Sequence, residues 1–234
     1  MKRFWKEVTT EQRPDGWAVL LDGREVRTPK RAPLVLPGTS LADAVRDEWA
    51  GVGEILDPRA MPLTGLANAA IDHAAPDPAA FSAPLARYGE GDLLCYRAES
   101  PEPLVRRQAE AWDPLLAWAS RRYDAEFRVV AGIVHTPQPA NTMNRLAAAV
   151  AALDPFRLAA LNPLVTIGGS LVAALALLEG EVDEETAWVA AQLDDLWQTE
   201  QWGEDAEALA MREGRRRDWA AASEFLRLLP PRLS

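Results

Sequence analysis

Cysteine and histidine are almost missing from this chain. Its 234 residues include one cysteine, Cys95, and two histidines, His73 and His135. A single thiol excludes an internal disulfide framework and suits a reducing compartment. With no His-Glu-x-x-His and no Cys-x-x-Cys, no zinc ligand set is present and each histidine reads as structural. Long apolar runs are lacking too. The most apolar stretch, Leu164–Leu178 (LVTIGGSLVAALALL), falls short of the roughly 20 residues that span a bilayer and reads as a core helix, so no membrane insertion is expected. The opening MKRFWKEVTT has no apolar segment of the secretory kind and does not read as an organelle transit peptide. A cytoplasmic protein is expected.

Nucleotide and nucleophile motifs are equally scarce. There is no P-loop, and Gly89-Glu90-Gly91 has neither the third glycine nor the strand-before, helix-after context of a dinucleotide fingerprint. Gly168-Gly169-Ser170 is the nearest approach to a nucleophile elbow. Ser170 there falls in an apolar helix, and the two glycines read as permitting close helix packing. Cys95 has no neighbouring base to activate it. No cofactor is expected.

What the chain has in excess is acid, 35 carboxylates against 25 bases for a net charge of −10. That balance argues against a nucleic-acid partner, which would want a basic patch. The excess lies in one stretch, Glu181–Glu207. Its ten carboxylates are Glu181, Asp183, Glu184, Glu185, Asp194, Asp195, Glu200, Glu204, Asp205 and Glu207, with no lysine or arginine among them. Three of the nine tryptophans, Trp188, Trp197 and Trp202, lie in it as well. Asp183 can cap a helix, with Glu184 and Glu185 near its positive end. Val189, Leu193, Leu196 and Trp197 then recur at the spacing of one buried face, a register that puts Glu200 on the apolar side. Gly203 offers a stop, and Glu204-Asp205 can open the next helix. The plain reading is a solvated acidic helix with tryptophan in the core, and the position of Glu200 sits uneasily with it.

Along the rest of the chain, Trp17–Leu21 and Arg24–Thr28 flank Asp22-Gly23, a strong primed-turn hairpin signal. Leu34–Leu36 forms a third short strand. Helices are expected from Thr39 or Ser40 to Trp49, from Thr64 to His73, from Asp77-Pro78 to Gly89, and from Leu104 to Tyr123 with a possible kink at Pro114. A strand is expected over Glu126–Ile133. Further helices follow at 141–153, 155–161, 164–179, 184–202 and 204–229. The fold class is therefore α+β: a small β-rich N-terminal domain, residues 1–60, ahead of a larger helical domain, residues 61–234. Paired carboxylates are the only grouping suggestive of catalysis. Glu200 and Glu204 would share a face if the helix ran through Gly203, so a small acid/base hydrolase is the alternative to a binding protein, and a scaffold with no client preference is a third possibility.

The chain also resembles the assembly chaperones that attend the alpha subunit of the mitochondrial and alphaproteobacterial ATP synthase. The resemblance rests on Lys2-Arg-Phe-Trp-Lys6, Gly16-Trp17, Leu21-Asp-Gly-Arg24, Arg27-Thr-Pro29 and Glu48-Trp49. It continues through Met61-Pro-Leu-Thr64, Leu66-Ala-Asn68, Ile71-Asp72, Asp92–Arg97, Arg107-Gln108, Trp112-Asp-Pro114 and Gly169-Ser-Leu171, and ends on Leu193–Gln198, Glu200 and Trp202–Asp205. It implies a non-catalytic, monomeric holdase that binds the unassembled alpha subunit until the beta subunit takes over. It implies client contacts at Glu200 and Glu204, with Asp194, Asp195, Trp197 and Trp202 nearby and Trp49 in a second motif, where Trp49 reads equally as a core anchor. Val52 stands where a polar glutamine is expected, putting any contact there in doubt. The missing transit peptide points to a bacterial member.

Overall fold

The computed structural model describes residues 2–231. The first element, β1 (Val8–Arg13), pairs antiparallel with β2 (Gly16–Leu21) through the two-residue turn Pro14-Asp15. Sequence reasoning passed over β1 because its alternation is weak, although Pro-Asp-Gly is itself a turn signal. At the other end of β2 the expected primed turn is present: Asp22 and Gly23 both have positive φ (48° and 77°) before β3 (Arg24–Glu25). The Asp22 carboxylate accepts from the Lys6 and Glu7 amides at 3.0 and 2.9 Å, and these bonds hold it below the usual aspartate range. β4 (Val35–Leu36) joins the same edge of β2 beside Trp17 and Ala18.

The chain divides into two compact units. One comprises the chain up to Pro78, with Asp154–Ala160 and the stretch from Ala221; the other comprises Ala79–Leu153 and Leu161–Ala220. The first unit thus runs past residue 60, the expected boundary, and takes back two later segments, because helices returning late in the chain complete its core. With 61% helix and 10% strand the class is α+β. In the first unit the sheet packs with α1 (Thr39–Ala50) and α2 (Pro62–Ala69) around Trp5, Leu34, Leu36, Leu41, Val45 and Phe225. Glu48 turns inward to cap α2, accepting from the amides of Leu63 and Thr64 at 2.8 Å each and from Thr64 Oγ1 at 2.7 Å. A π-helical turn, Ala70–Ala74, extends α2, and its buried Asp72 accepts from Thr28 Oγ1 at 2.6 Å.

The second unit begins in α3 (Pro78–Ala86). It continues through a 3₁₀ turn (Leu93–Cys95), β5 (Tyr96–Arg97), α4 (Glu102–Tyr123), β6 (Val130–Ala131) and α5 (Ala140–Ala151). Pro114 lies inside α4 without ending it. Only two residues of the strand expected over Glu126–Ile133 pair, parallel to β5. The reason is local: the backbone of Glu126 bonds with Thr142 Oγ1, and that of Arg128 with the Gln138 amide, so side chains satisfy what a neighbouring strand would.

Next come α6 (Pro155–Gly168), α7 (Leu171–Glu179), α8 (Glu184–Ala191), α9 (Leu193–Trp202) and α10 (Ala206–Leu228). The expected break at Asn162-Pro163 does not occur. The helix continues to Gly168 and is ended by Gly169 at φ +65°, after which Ser170 caps α7 by accepting from the Ala173 amide at 3.0 Å. Ser170 therefore stands between two helices rather than inside one. Leu171 to Ala176 are all buried. Gly168 does allow close packing: a β-carbon there would lie 3.0 Å from the Trp219 ring and 3.2 Å from the Ala191 methyl. Replacing Gly168 by alanine should cost about 1–3 kcal/mol and lower Tm by roughly 2–10 °C in thermal circular dichroism. An unchanged Tm would mean that the Trp219 ring yields freely.

Candidate functional site

The acidic stretch is two helices, where one was expected. Asp183 caps α8 by accepting from the Thr186 amide at 2.8 Å, and α8 ends at Gln192, whose φ of −109° and ψ of 14° leave the helical range. α9 then restarts with Asp194 and Asp195 in its first turn, where the positive helix end favours them. The restart breaks the register drawn from Val189. Within α9 only Leu193 is buried, so the face that Glu200 shares with Leu193 and Leu196 has reached solvent by the last turn, and the Glu200 side chain is 49% exposed. Gly203, at φ +77°, ends α9 as expected, and Asp205 caps α10 by accepting from the Ala208 amide at 2.8 Å. With the helix stopped before Glu204, the shared face that the hydrolase reading needs does not form.

Five of the ten acids here have an internal cation, supplied by α4 and α10. Arg107 on α4 grips Glu200 in a two-pronged pair, 2.6 and 2.9 Å. That grip holds the Glu200 carboxyl below its ordinary range and raises the Arg107 guanidinium above its own. An acid so held is ionised near neutrality and unsuited to donate a proton. On α10, Arg212 meets Glu204 at 2.6 Å, Arg215 meets Asp195 at 3.4 Å, and Arg216 meets Glu184 and Glu185 at 3.0 and 2.6 Å. The Glu204–Arg212 pair is the sheltered one, its side chains 14% and 21% exposed. Asp194 accepts from Gln108 Nε2 at 2.7 Å.

The tryptophans separate by environment. Trp188 is buried edge-on to Trp219, with Arg216 over its ring at 5.1 Å. Trp197 is half-buried, while Trp202 is 78% exposed. Trp202, Gly203 and Glu204 line an open cleft of about 390 Å³ together with Met211, Arg212 and Arg215. Trp49 lies elsewhere, buried in the core of the first unit and edge-on to Trp5, whose Nε1 donates to the Trp49 carbonyl at 3.3 Å. Val52 is buried too, its carbonyl accepting from Arg3 Nη1. The structure thus gathers Asp194, Asp195, Trp197, Glu200, Trp202 and Glu204 along one helix and the turn that follows it. Sequence reasoning gave no role to Arg107, Arg212, Arg215 or Met211. The one available signal was the complete absence of bases from an acidic stretch that had to find counter-charges somewhere.

Two groups with perturbed titration belong to the scaffold. Asp92 is fully buried, accepting from Ser170 Oγ at 2.7 Å and from the amides of Val172 and Leu94 at 2.9 and 3.1 Å. Burial outweighs those bonds and lifts it to about 6. Cys95 is pushed up to about 12 by burial and the nearby Asp92 charge, which makes its thiol inert. Among the described residues no group of three or more His, Cys, Asp or Glu is placed to hold a metal ion, and no helix is long and apolar enough to cross a membrane. Because Asp92 binds its proton more tightly folded than unfolded, its contribution to stability is complete below about pH 4, falls as pH rises to about 6 and is then flat. The carboxyl carbon of Asp92 in an NMR titration should show a midpoint near 6; a midpoint near 4 would mean that the three donors outweigh burial.

Residues 2–120 match the family described as ATP12 chaperone protein. The crystal structure of Atp12 from Paracoccus denitrificans is 45% identical, with 98% of each chain covered and a TM-score of 0.93. A mutant of the same organism's Atp12p gives 45% identity, 97% coverage of each chain and a TM-score of 0.92. The mitochondrial protein atp12 of Schizosaccharomyces pombe is 26% identical over 219 residues, 88% of this chain and 75% of that protein.

Proposed function

Because the chain belongs to the ATP12 chaperone family, we propose that it is a holdase for ATP synthase assembly. Its client is the unassembled alpha subunit of the catalytic head, kept from aggregating until the beta subunit takes over. Family membership carries this reading, and the character of the α9–α10 surface supports it. An unassembled subunit exposes a large apolar interface, and a chaperone for it needs apolar contact for affinity and charge for partner choice and rapid encounter. Trp202 and Met211, 78% and 62% exposed, can supply the first. Asp195 and Glu200, whose ion pairs are solvent-exposed, can supply the second. Glu204, sheltered with Arg212, acts from behind by fixing the turn that presents Trp202, and Asp194 holds α9 to α4 through Gln108. Trp49 serves by anchoring the first unit's core. The protein works as a monomer in the cytoplasm, without a cofactor.

The test is capture of purified alpha subunit, followed by light scattering as the subunit aggregates. Glu200→Lys should leave the circular dichroism melt unchanged, since only an exposed pair is lost, and should abolish protection. Glu200→Gln should retain part of it. Protection by Glu200→Lys equal to that of the native protein would remove Glu200 from the client surface. Failure of the native protein to protect would remove the alpha subunit as client.

A further inference from the structure

A second cleft, of about 430 Å³, lies in the same unit between α9 and the β5–β6 ribbon. Its apolar walls include Leu93, Leu104, Ile133 and Trp197, and its acids are Glu99 and Asp194. The base in its wall, Arg97, is already engaged. It bonds Asp113 at 2.7 Å and the Leu94 carbonyl at 2.9 Å, and it lies over the Trp112 ring at 5.2 Å. Glu99 is exposed, and no lysine or arginine of the described residues pairs with it. Its carboxyl lies against Gly132, where a β-carbon would stand 3.6 Å away. The cleft thus joins an apolar wall to a polar one that carries uncompensated negative charge.

At its lip stand two large apolar side chains that the fold leaves in water. Ile133 is 97% exposed and Val134 77%, with Val129 behind them at 47%. Adjacent aliphatic side chains in water on a loop mark a contact surface when a cleft with an apolar wall adjoins them. The loop is also held in place. The Gln138 amide fixes Arg128 from both sides, the Gly132 amide donates to the Arg97 carbonyl at 2.9 Å, and Tyr96 Oη meets His135 Nδ1 at 3.1 Å. Ile133 is therefore presented at little ordering cost on binding.

We propose that this cleft is a second client-binding surface, with Ile133 and Val134 packing on an apolar client segment and Glu99 and Asp194 receiving a basic side chain from it. The proposal rests on the reading of the protein as a client-binding chaperone. The argument for this occupant is charge: the unpaired group at the cleft is a carboxylate, so the segment that fits brings a base. Because Trp197 and Asp194 line this cleft while Asp195, Gln198 and Trp202 line the other, α9 contributes to both. One client can contact both.

The full chain should be tested with purified ATP synthase alpha subunit by surface binding kinetics and by suppression of aggregation. An Ile133→Ser, Val134→Ser double variant should melt as the native protein does. It should bind about tenfold more weakly or worse, chiefly through faster dissociation. Glu99→Gln should slow association and flatten its dependence on salt. Native affinity in the double variant would overturn the proposal while leaving the holdase function standing. So would concentration-dependent self-association of the native protein that the double variant abolishes with client binding intact, since the occupant would then be a second copy of this chain. Absence of binding by the native protein would overturn the function and the proposal with it.

Discussion

The second unit depends on one buried carboxylate. Asp92 has no access to solvent, and three donors converge on it. Two of these, Ser170 Oγ and the Val172 amide, belong to the start of α7, and the third starts the turn that leads into β5. The same residue therefore fixes the entry of the most buried helix and the origin of the ribbon that carries the second cleft. Removing it would orphan two buried amides and a hydroxyl, each costing about 1–3 kcal/mol if left unsatisfied. The network persists although burial works against the charge. From α7 the order spreads outward. α4 and α8 pack on it, Trp112 on α4 ties the two by donating to the Ala190 carbonyl at 2.8 Å, and α9 follows α8 through a single non-helical residue.

That dependence explains which features could be read from the chain. The Asp22-Gly23 turn, the Asp183 cap and the Gly203 stop are local, set by one or two residues and their backbone preferences, and each appears as expected. The misreadings have tertiary causes. Ser170 looks like one more residue of an apolar helix until Asp92, 78 positions earlier, arrives to fix it as a cap. Glu126–Ile133 has the composition of a strand but finds Thr142 and Gln138 instead of a partner. Glu200 does share a face with Leu193 and Leu196, but that face is buried only at Leu193, and by the last turn of α9 it meets Arg107 and water instead of core.

The site was legible as a cluster of residue types and not as an arrangement. The ten carboxylates between Glu181 and Glu207 suggest a bare negative surface, yet arginines from α4 and α10 neutralise much of it. Nothing in the local sequence announces that pairing, because Arg107 lies 93 positions from Glu200. The pairing also sorts the acids. Where both partners are sheltered, as in Glu204–Arg212, breaking the pair leaves a partly desolvated charge, and the pair serves the fold. Where both are wet, the pair is weak and screened, and its members remain available to other ions.

It follows that a basic client side chain does not meet an empty carboxylate at Glu200; it must take the place of Arg107. Exchanging one guanidinium–carboxylate pair for another yields little net affinity, so the acids of α9 cannot by themselves hold a client. What the acids provide is discrimination, since an acidic client group would meet like charge along α9 and a neutral one would leave the Arg107–Glu200 pair as it is. Affinity must then come from apolar surface, and the large exposed apolar side chains near α9 stand in two places, at Trp202 and Met211 and at Ile133 and Val134. A surface that separates the source of selectivity from the source of affinity suits a holdase. On the proposed reading charge discriminates the client and apolar contact grips it, with no chemistry required.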